Sequence, residues 1–148
     1  MNKQFTIDEV VLHAKPMSLL SHIEEYGDNW LRAQATITSD NIFANIQGVP
    51  SWVGIEYMAQ AIAAFAGVQA QLNNVPVTIG FLLGTRKYTT SSDYFTLNST
   101  LHITATQIIL GENGLGSFEC VIESENFNAE ASINTFKPVN PDAFLQEN

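Results

Sequence analysis

The chain is poor in cysteine, in positive charge and in charged residues altogether. Its one cysteine, Cys120, excludes an intrachain disulfide. Six Lys and Arg stand against fifteen Asp and Glu, a formal net charge of −9. Nucleic acid and anionic membrane surfaces both need clustered cations, so neither is an expected partner. Arg86-Lys87 is the only adjacent basic pair, and one local basic patch is enough to hold an acidic partner. Charged residues make up 14% of the chain, against about a quarter in an average domain. Much of the surface must then be Ser, Thr, Asn and Gln, or be covered by another subunit.

Other absences narrow the field further. No uninterrupted apolar run reaches the roughly 18 residues of a membrane helix. Met1 to Asp8 has no signal-peptide apolar region and no small-residue cleavage site. A reduced, cytoplasmic protein without membrane insertion is the expectation. There is no Cys pair, no HExxH and no histidine cluster at ligand spacing, so no metal site is expected. Gly84-Thr85-Arg86 lacks the glycine spacing of a phosphate loop, and no serine lies in a nucleophile elbow. There is no internal repeat.

What is present reads as one domain over residues 1–148, with loose termini at 1–5 and 138–148. Ile7 to Leu12 suits a short helix, with Thr6 as N-cap and Glu9 at the capping-box position. Pro16 forces extension. Met17 to Tyr26 reads as a first strand and Trp30 to Thr38 as a second, joined by a turn at Gly27-Asp28-Asn29. Pro50 to Asn73 is the longest helical pattern. Proline suits its first turn, and it is apolar nearly all round, which predicts burial on most of its circumference. Gly54 and Gly67 inside it cost helix propensity and point to close packing. Val77 to Tyr88, Tyr94 to Leu110, Gly116 to Glu125 and Asn128 to Phe136 follow as strands, with a hairpin turn at Glu112-Asn113-Gly114. A helix buried all round needs cover on several sides. A curved antiparallel sheet wrapped about a long central helix, the α+β hot-dog arrangement, provides it, with a second subunit nearby.

Few side chains stand out chemically. Glu56 lies in the second turn of the apolar helix, where a carboxylate must be solvated, paired or used. Gln60, four residues on, shares its face and can bond it. His22 and His102 fall within strand patterns and read as surface or packing residues. His13 lies in irregular chain beside a strand start, where functional side chains concentrate.

Three segments carry a resemblance. Val49-Pro50-Ser51-Trp52-Val53-Gly54-Ile55-Glu56-Tyr57-Met58-Ala59-Gln60-Ala61 resembles the central helix of the hot-dog 3-hydroxyacyl-[acyl carrier protein] dehydratases. Leu12-His13-Ala14-Lys15-Pro16-Met17-Ser18-Leu19-Leu20 is similar to their N-terminal segment, and Gly80-Phe81-Leu82-Leu83-Gly84-Thr85-Arg86-Lys87 to the strand after their helix. Within the superfamily the chain looks most like the dehydratases of aryl polyene biosynthesis. The histidine-bearing loop of the fatty-acid enzymes is replaced by Phe43-Ala44-Asn45-Ile46-Gln47-Gly48-Val49, which has no histidine. The resemblance therefore implies Glu56 as the acid and leaves His13 as the candidate base of a rewired pair. It implies removal of water from a 3-hydroxyacyl thioester without a cofactor. Backbone donors around Ser51 and Trp52 would meet the thioester oxygen, and Gln60 would line the substrate. Arg86 and Lys87 would meet the acyl carrier protein. The implied assembly is a homodimer or a heterodimer with a related hot-dog subunit. Two further readings stay open: a thioesterase in which Glu56 activates water, and a non-catalytic subunit of a hot-dog heterodimer.

Overall fold

The computed structural model describes residues 4–10, 19–76, 81–111 and 114–136, without the side chains of residues 8 and 81–83. The elements are α1 (Ile7–Val10), β1 (His22–Tyr26), β2 (Trp30–Thr36), β3 (Val49–Pro50), a 3-10 turn (Ser51–Val53), α2 (Gly54–Leu72), β4 (Phe81–Thr90), β5 (Tyr94–Phe95), β6 (Thr100–Leu110), β7 (Leu115–Glu123) and β8 (Asn128–Phe136). Six strands form one antiparallel sheet in the order β1-β2-β6-β7-β8-β4. The short β3 and β5 pair with each other beside the start of α2.

Alternation sets the two faces of the sheet. Leu31, Ala33 and Ala35 of β2, Leu101, Ile103 and Ala105 of β6, and Cys120 and Ile122 of β7 are buried. Ala129, Ala131 and Ile133 of β8 complete this inner face. Against it lie Tyr57, Met58, Ala61, Ala64, Phe65 and Val68 of α2, all in one core. The many alanines on both surfaces leave room for a close approach. Phe65 meets Phe118 edge-on at 5.8 Å, and Phe95 stacks on Phe127 at 5.1 Å. Burying each Leu, Ile or Phe removes apolar area from water, at about 1.5–3 kcal/mol apiece. Cys120 lies inside this core, and burial pushes its thiol up to about 12, so it stays protonated and unreactive at neutral pH.

The helix is covered less completely than its pattern suggested. Ile55, Glu56, Ala59, Ala63, Ala66 and Gln69 are only half-buried, and they form a stripe at helical spacing. Pro50 lies before the first helical turn and not in it: it is the N-cap of the 3-10 turn, with extended ψ of 136°, and α2 begins at Gly54 with Val53 as its own N-cap. At α1, Glu9 Oε1 accepts the Thr6 N–H at 2.9 Å, which is the back-reaching half of the expected capping box.

Both helix glycines mark close contacts. A Cβ on Gly67 would collide with the backbone carbonyl of Val10, where α1 crosses α2. Backbone cannot swing aside as a side-chain tip can. Gly67→Ala should therefore lower stability by about 1–3 kcal/mol, despite alanine's better helix propensity. A thermal melt checks this, and an unchanged or raised midpoint would show that α1 simply lifts away.

Strand bounds differ from the sequence expectation at several ends: β2 stops at Thr36 and not Thr38, β4 runs on to Thr90 and not Tyr88, and β7 spans Leu115–Glu123 and not Gly116 to Glu125. The first strand begins at His22, with Leu19 sending its N–H to a side chain of α2, while the expected start at Met17 lies outside the described residues. The segment Tyr94 to Leu110 is broken in two. Asn98 takes a left-handed φ of 71°, and its N–H donates to the Ile37 carbonyl at 2.7 Å, so the chain turns between β5 and β6. The expected strand start at Val77 and the turn residues Glu112 and Asn113 lie outside the described residues, as do residues 1–3 and 138–148 of the expected loose termini. Gly114 has the left-handed φ of 88° that the turn chemistry calls for.

Candidate active site

The site is built at the start of α2. Glu56 lies in its first turn, on the half-open stripe, where the aligned peptide dipoles favour negative charge. One turn on, Gln60 is fully buried. Its Oε1 accepts the Leu19 N–H at 2.8 Å, and its Nε2 donates to Glu56 Oε1 at 3.1 Å. An amide has one accepting and one donating end. Because Leu19 occupies the accepting end, the donating end must face the carboxylate. The main chain after the N-terminal segment thus orients Glu56 through a single side chain.

The flanking backbone is equally constrained. Ser51 is buried, and its N–H donates to the Asp93 carbonyl at 2.9 Å. Of the two backbone donors expected here, the Ser51 N–H is therefore already engaged. Its carbonyl accepts both the Gly54 N–H and the Tyr88 hydroxyl. Trp52 is 65% exposed and meets Phe43 edge-on at 6.1 Å. The loop before the helix is anchored by Asn41, whose Nδ2 donates to the buried Tyr57 hydroxyl at 3.1 Å. Burial pushes that hydroxyl up to about 12, against the opposing effect of the Asn41 hydrogen bond. Asn45 and Gly48 exchange two backbone hydrogen bonds and close a tight turn with Ile46 at its tip.

His13 lies outside the described residues. Arg86 and Lys87 are exposed on β4. His22 and His102 stand on the outer face of the sheet, in one cross-strand row with Gln34 between them. His102 Nδ1 bonds Glu24, which also holds Arg32 Nε at 3.0 Å. Partial burial of Glu24 acts to raise its pKa. The hydrogen bonds and charges of His102 and Arg32 outweigh that and hold it below its ordinary value. This cluster is a surface ion network, with α2 on the other side of the sheet. Among the described residues, no group of three or more His, Cys, Asp or Glu could hold a metal ion, and no helix is long and apolar enough to cross a membrane.

Sequence reading missed Tyr88. Nothing local to a tyrosine in a strand announces that its hydroxyl reaches a carbonyl at the start of a helix 37 residues earlier. The only hint was Gly54, whose missing side chain makes the room.

A long helix laid on a six-stranded antiparallel sheet is the hot-dog arrangement. The ApeP-like family, described as ApeP dehydratase, matches residues 5–146, and the chain belongs to that family. It is a dehydratase, and the family supports dehydration in aryl polyene biosynthesis over the thioesterase and non-catalytic readings. Among solved structures it is similar to the dehydratase heterocomplex ApeI:P from Xenorhabdus doucetiae, at 29% identity over 97% of each chain and a TM-score of 0.88. It is also similar in fold to the PaaI protein of the E. coli phenylacetic acid degradation operon, at 14% identity over 78% of this chain and 81% of that one, with a TM-score of 0.62. A hypothetical thioesterase protein with coenzyme A from Streptococcus pneumoniae is similar at 11% identity over 78% and 83%, with a TM-score of 0.61. A comparison with curated protein sequences found no match.

Proposed function

We propose that the chain removes water from 3-hydroxyacyl thioesters carried on an acyl carrier protein, giving trans-2-enoyl thioesters. The observation that carries this reading is the relay from the Leu19 N–H through Gln60 to Glu56. It holds a carboxyl group in one direction at the N-terminus of a half-open helix, as a positioned proton donor requires. In the proposed step, His13 takes a proton from C2. The C2 electron pair forms the new C2=C3 bond, and the C3–O bond breaks. Glu56 gives its proton to the departing hydroxyl, which leaves as water. Proton exchange with solvent then restores both side chains for the next turnover. Enolate-like charge on the thioester oxygen during this step is met by backbone N–H groups at the helix start, where Trp52 supplies the leading candidate.

We further infer that the chain forms one hot-dog domain and works as a heterodimer with a related hot-dog subunit. The heterocomplex of the Xenorhabdus relative supports this. So do Ala59, Ala63 and Ala66 beside Glu56, small enough for another surface to approach and only half covered here. Exposed Arg86 and Lys87 offer cations to the carrier protein, on a chain with few others. A cytoplasmic setting suits a carrier-bound substrate. The test is incubation of the chain with a 3-hydroxyacyl carrier protein, alone and with its hot-dog partner, read by mass spectrometry. Loss of water with the thioester intact is expected. Release of free acid would instead establish hydrolysis.

A further inference from the structure

Tyr88 reaches the helix start from the opposite end of the architecture. It belongs to β4, the last strand in the sheet order. The β4–β8 ladder steps from Arg86↔Ser132 to Thr89↔Glu130, so two residues of β4 face one of β8. Lys87, within this bulge, has a φ of 55°. That left-handed conformation costs a lysine on the order of 1 kcal/mol and persists only where the surroundings impose it. A bulge re-aims side chains. Here Lys87 is exposed, while Tyr88 is half-buried and its hydroxyl meets the Ser51 carbonyl. The fit is mutual, because a Cβ on Gly54 would collide with that hydroxyl.

The consequence lies in the next peptide group. The unit joining Ser51 to Trp52 is planar and trans, so the Ser51 C=O and the Trp52 N–H point in opposite directions. Whatever fixes the carbonyl fixes the N–H. The Trp52 N–H is one of the first donors of the helix, which have no intrahelical acceptor. A carbonyl that accepts two hydrogen bonds, from Gly54 N–H and from Tyr88, also polarises its peptide group and strengthens the N–H at the other end.

We propose that Tyr88 is a positioning residue for the dehydration, its hydroxyl holding the Ser51 carbonyl so that the Trp52 N–H is aimed at the thioester oxygen. This rests on the helix-start donors of the proposed function. Burial keeps the Tyr88 hydroxyl protonated through the neutral range, since it is pushed up to about 12. It therefore acts as a donor wherever the reaction is measured.

The experiment compares the parent protein with Tyr88→Phe, each with its hot-dog partner. Phenylalanine keeps the ring packing and removes only the donor. Three quantities are read: the melting midpoint, kcat and KM for a 3-hydroxyacyl carrier protein, and the infrared carbonyl band of a bound saturated acyl carrier protein labelled with 13C at the thioester carbon. This ligand has no hydroxyl to lose, so the band reports the donor alone. In the parent, the band should move to lower wavenumber on binding. In Tyr88→Phe, that shift should shrink, and kcat should fall by about tenfold or more with KM nearly unchanged, because the lost interaction grows only as charge develops. Parent kcat and a parent-like band in the variant would overturn the proposal. So would a fall in kcat with an unchanged band and a lowered melting midpoint, which would make Tyr88 a packing residue. If the parent band itself does not move, the helix-start donors are wrong and the role of Tyr88 falls with them, while water loss in the mass assay would still stand.

Discussion

Replacing Glu56 with glutamine should leave the fold intact and slow water elimination by about 10²-fold or more, the usual cost of removing a general acid or base. The two side chains have the same shape. Glutamine at this position can still accept the Gln60 amide proton through its own carbonyl oxygen, so the relay to Leu19 survives. What disappears is a proton that can be given to the leaving hydroxyl. The half-buried setting of Glu56 makes the structural cost small, since solvent reaches the position. Turnover with the hot-dog partner present and a melting midpoint together decide the matter. Turnover at the parent rate would remove Glu56 from the chemistry. A collapse of stability would show that the carboxylate holds structure.

The His13→Ala variant should abolish water loss while leaving the melting midpoint nearly where it was. Elimination at neutral pH needs a base for a carbon-bound proton, and histidine's ordinary pKa of about 6.5 suits it. The described histidines offer no alternative. His22 and His102 project from the outer face of the sheet, and His102 is engaged with Glu24. Substituting either with alanine should change turnover little. What supports His13 is where the described chain on each side of it meets the helix. Val10 lies against Gly67, and Leu19 is bonded to Gln60, the residue that holds Glu56. Dehydration at the parent rate by the His13→Ala variant would break the proposed pair and send the search for a base to the partner subunit.

Much of this site was legible residue by residue. A carboxylate and an amide four positions apart on an apolar helix had to share a face, and the structure joins them at 3.1 Å. The strand Asn128 to Phe136 has the bounds its alternation suggested, because one face is buried and a shift by one residue would turn every side chain over. Alternation failed between Tyr94 and Leu110. A polar residue at a turn and one on a solvent face look alike, and only the bond from Asn98 to Ile37 marks the break.

The sequence by itself determined the central helix, the strands that bury one face, the carboxylate with its amide neighbour, and the family. Each of these depends on residues within a few positions of one another or on a contiguous motif. Tertiary structure alone decided which backbone groups meet the candidate site. Leu19 bonds to Gln60 across 41 residues, and Tyr88 to Ser51 across 37. Hydrophobic periodicity says which side of an element faces inward, but it carries no record of which distant element lies there. That choice comes from packing the sheet on the helix: α1 crosses at Gly67, and the bulge in β4 turns one tyrosine hydroxyl toward the one carbonyl that Gly54 leaves within reach.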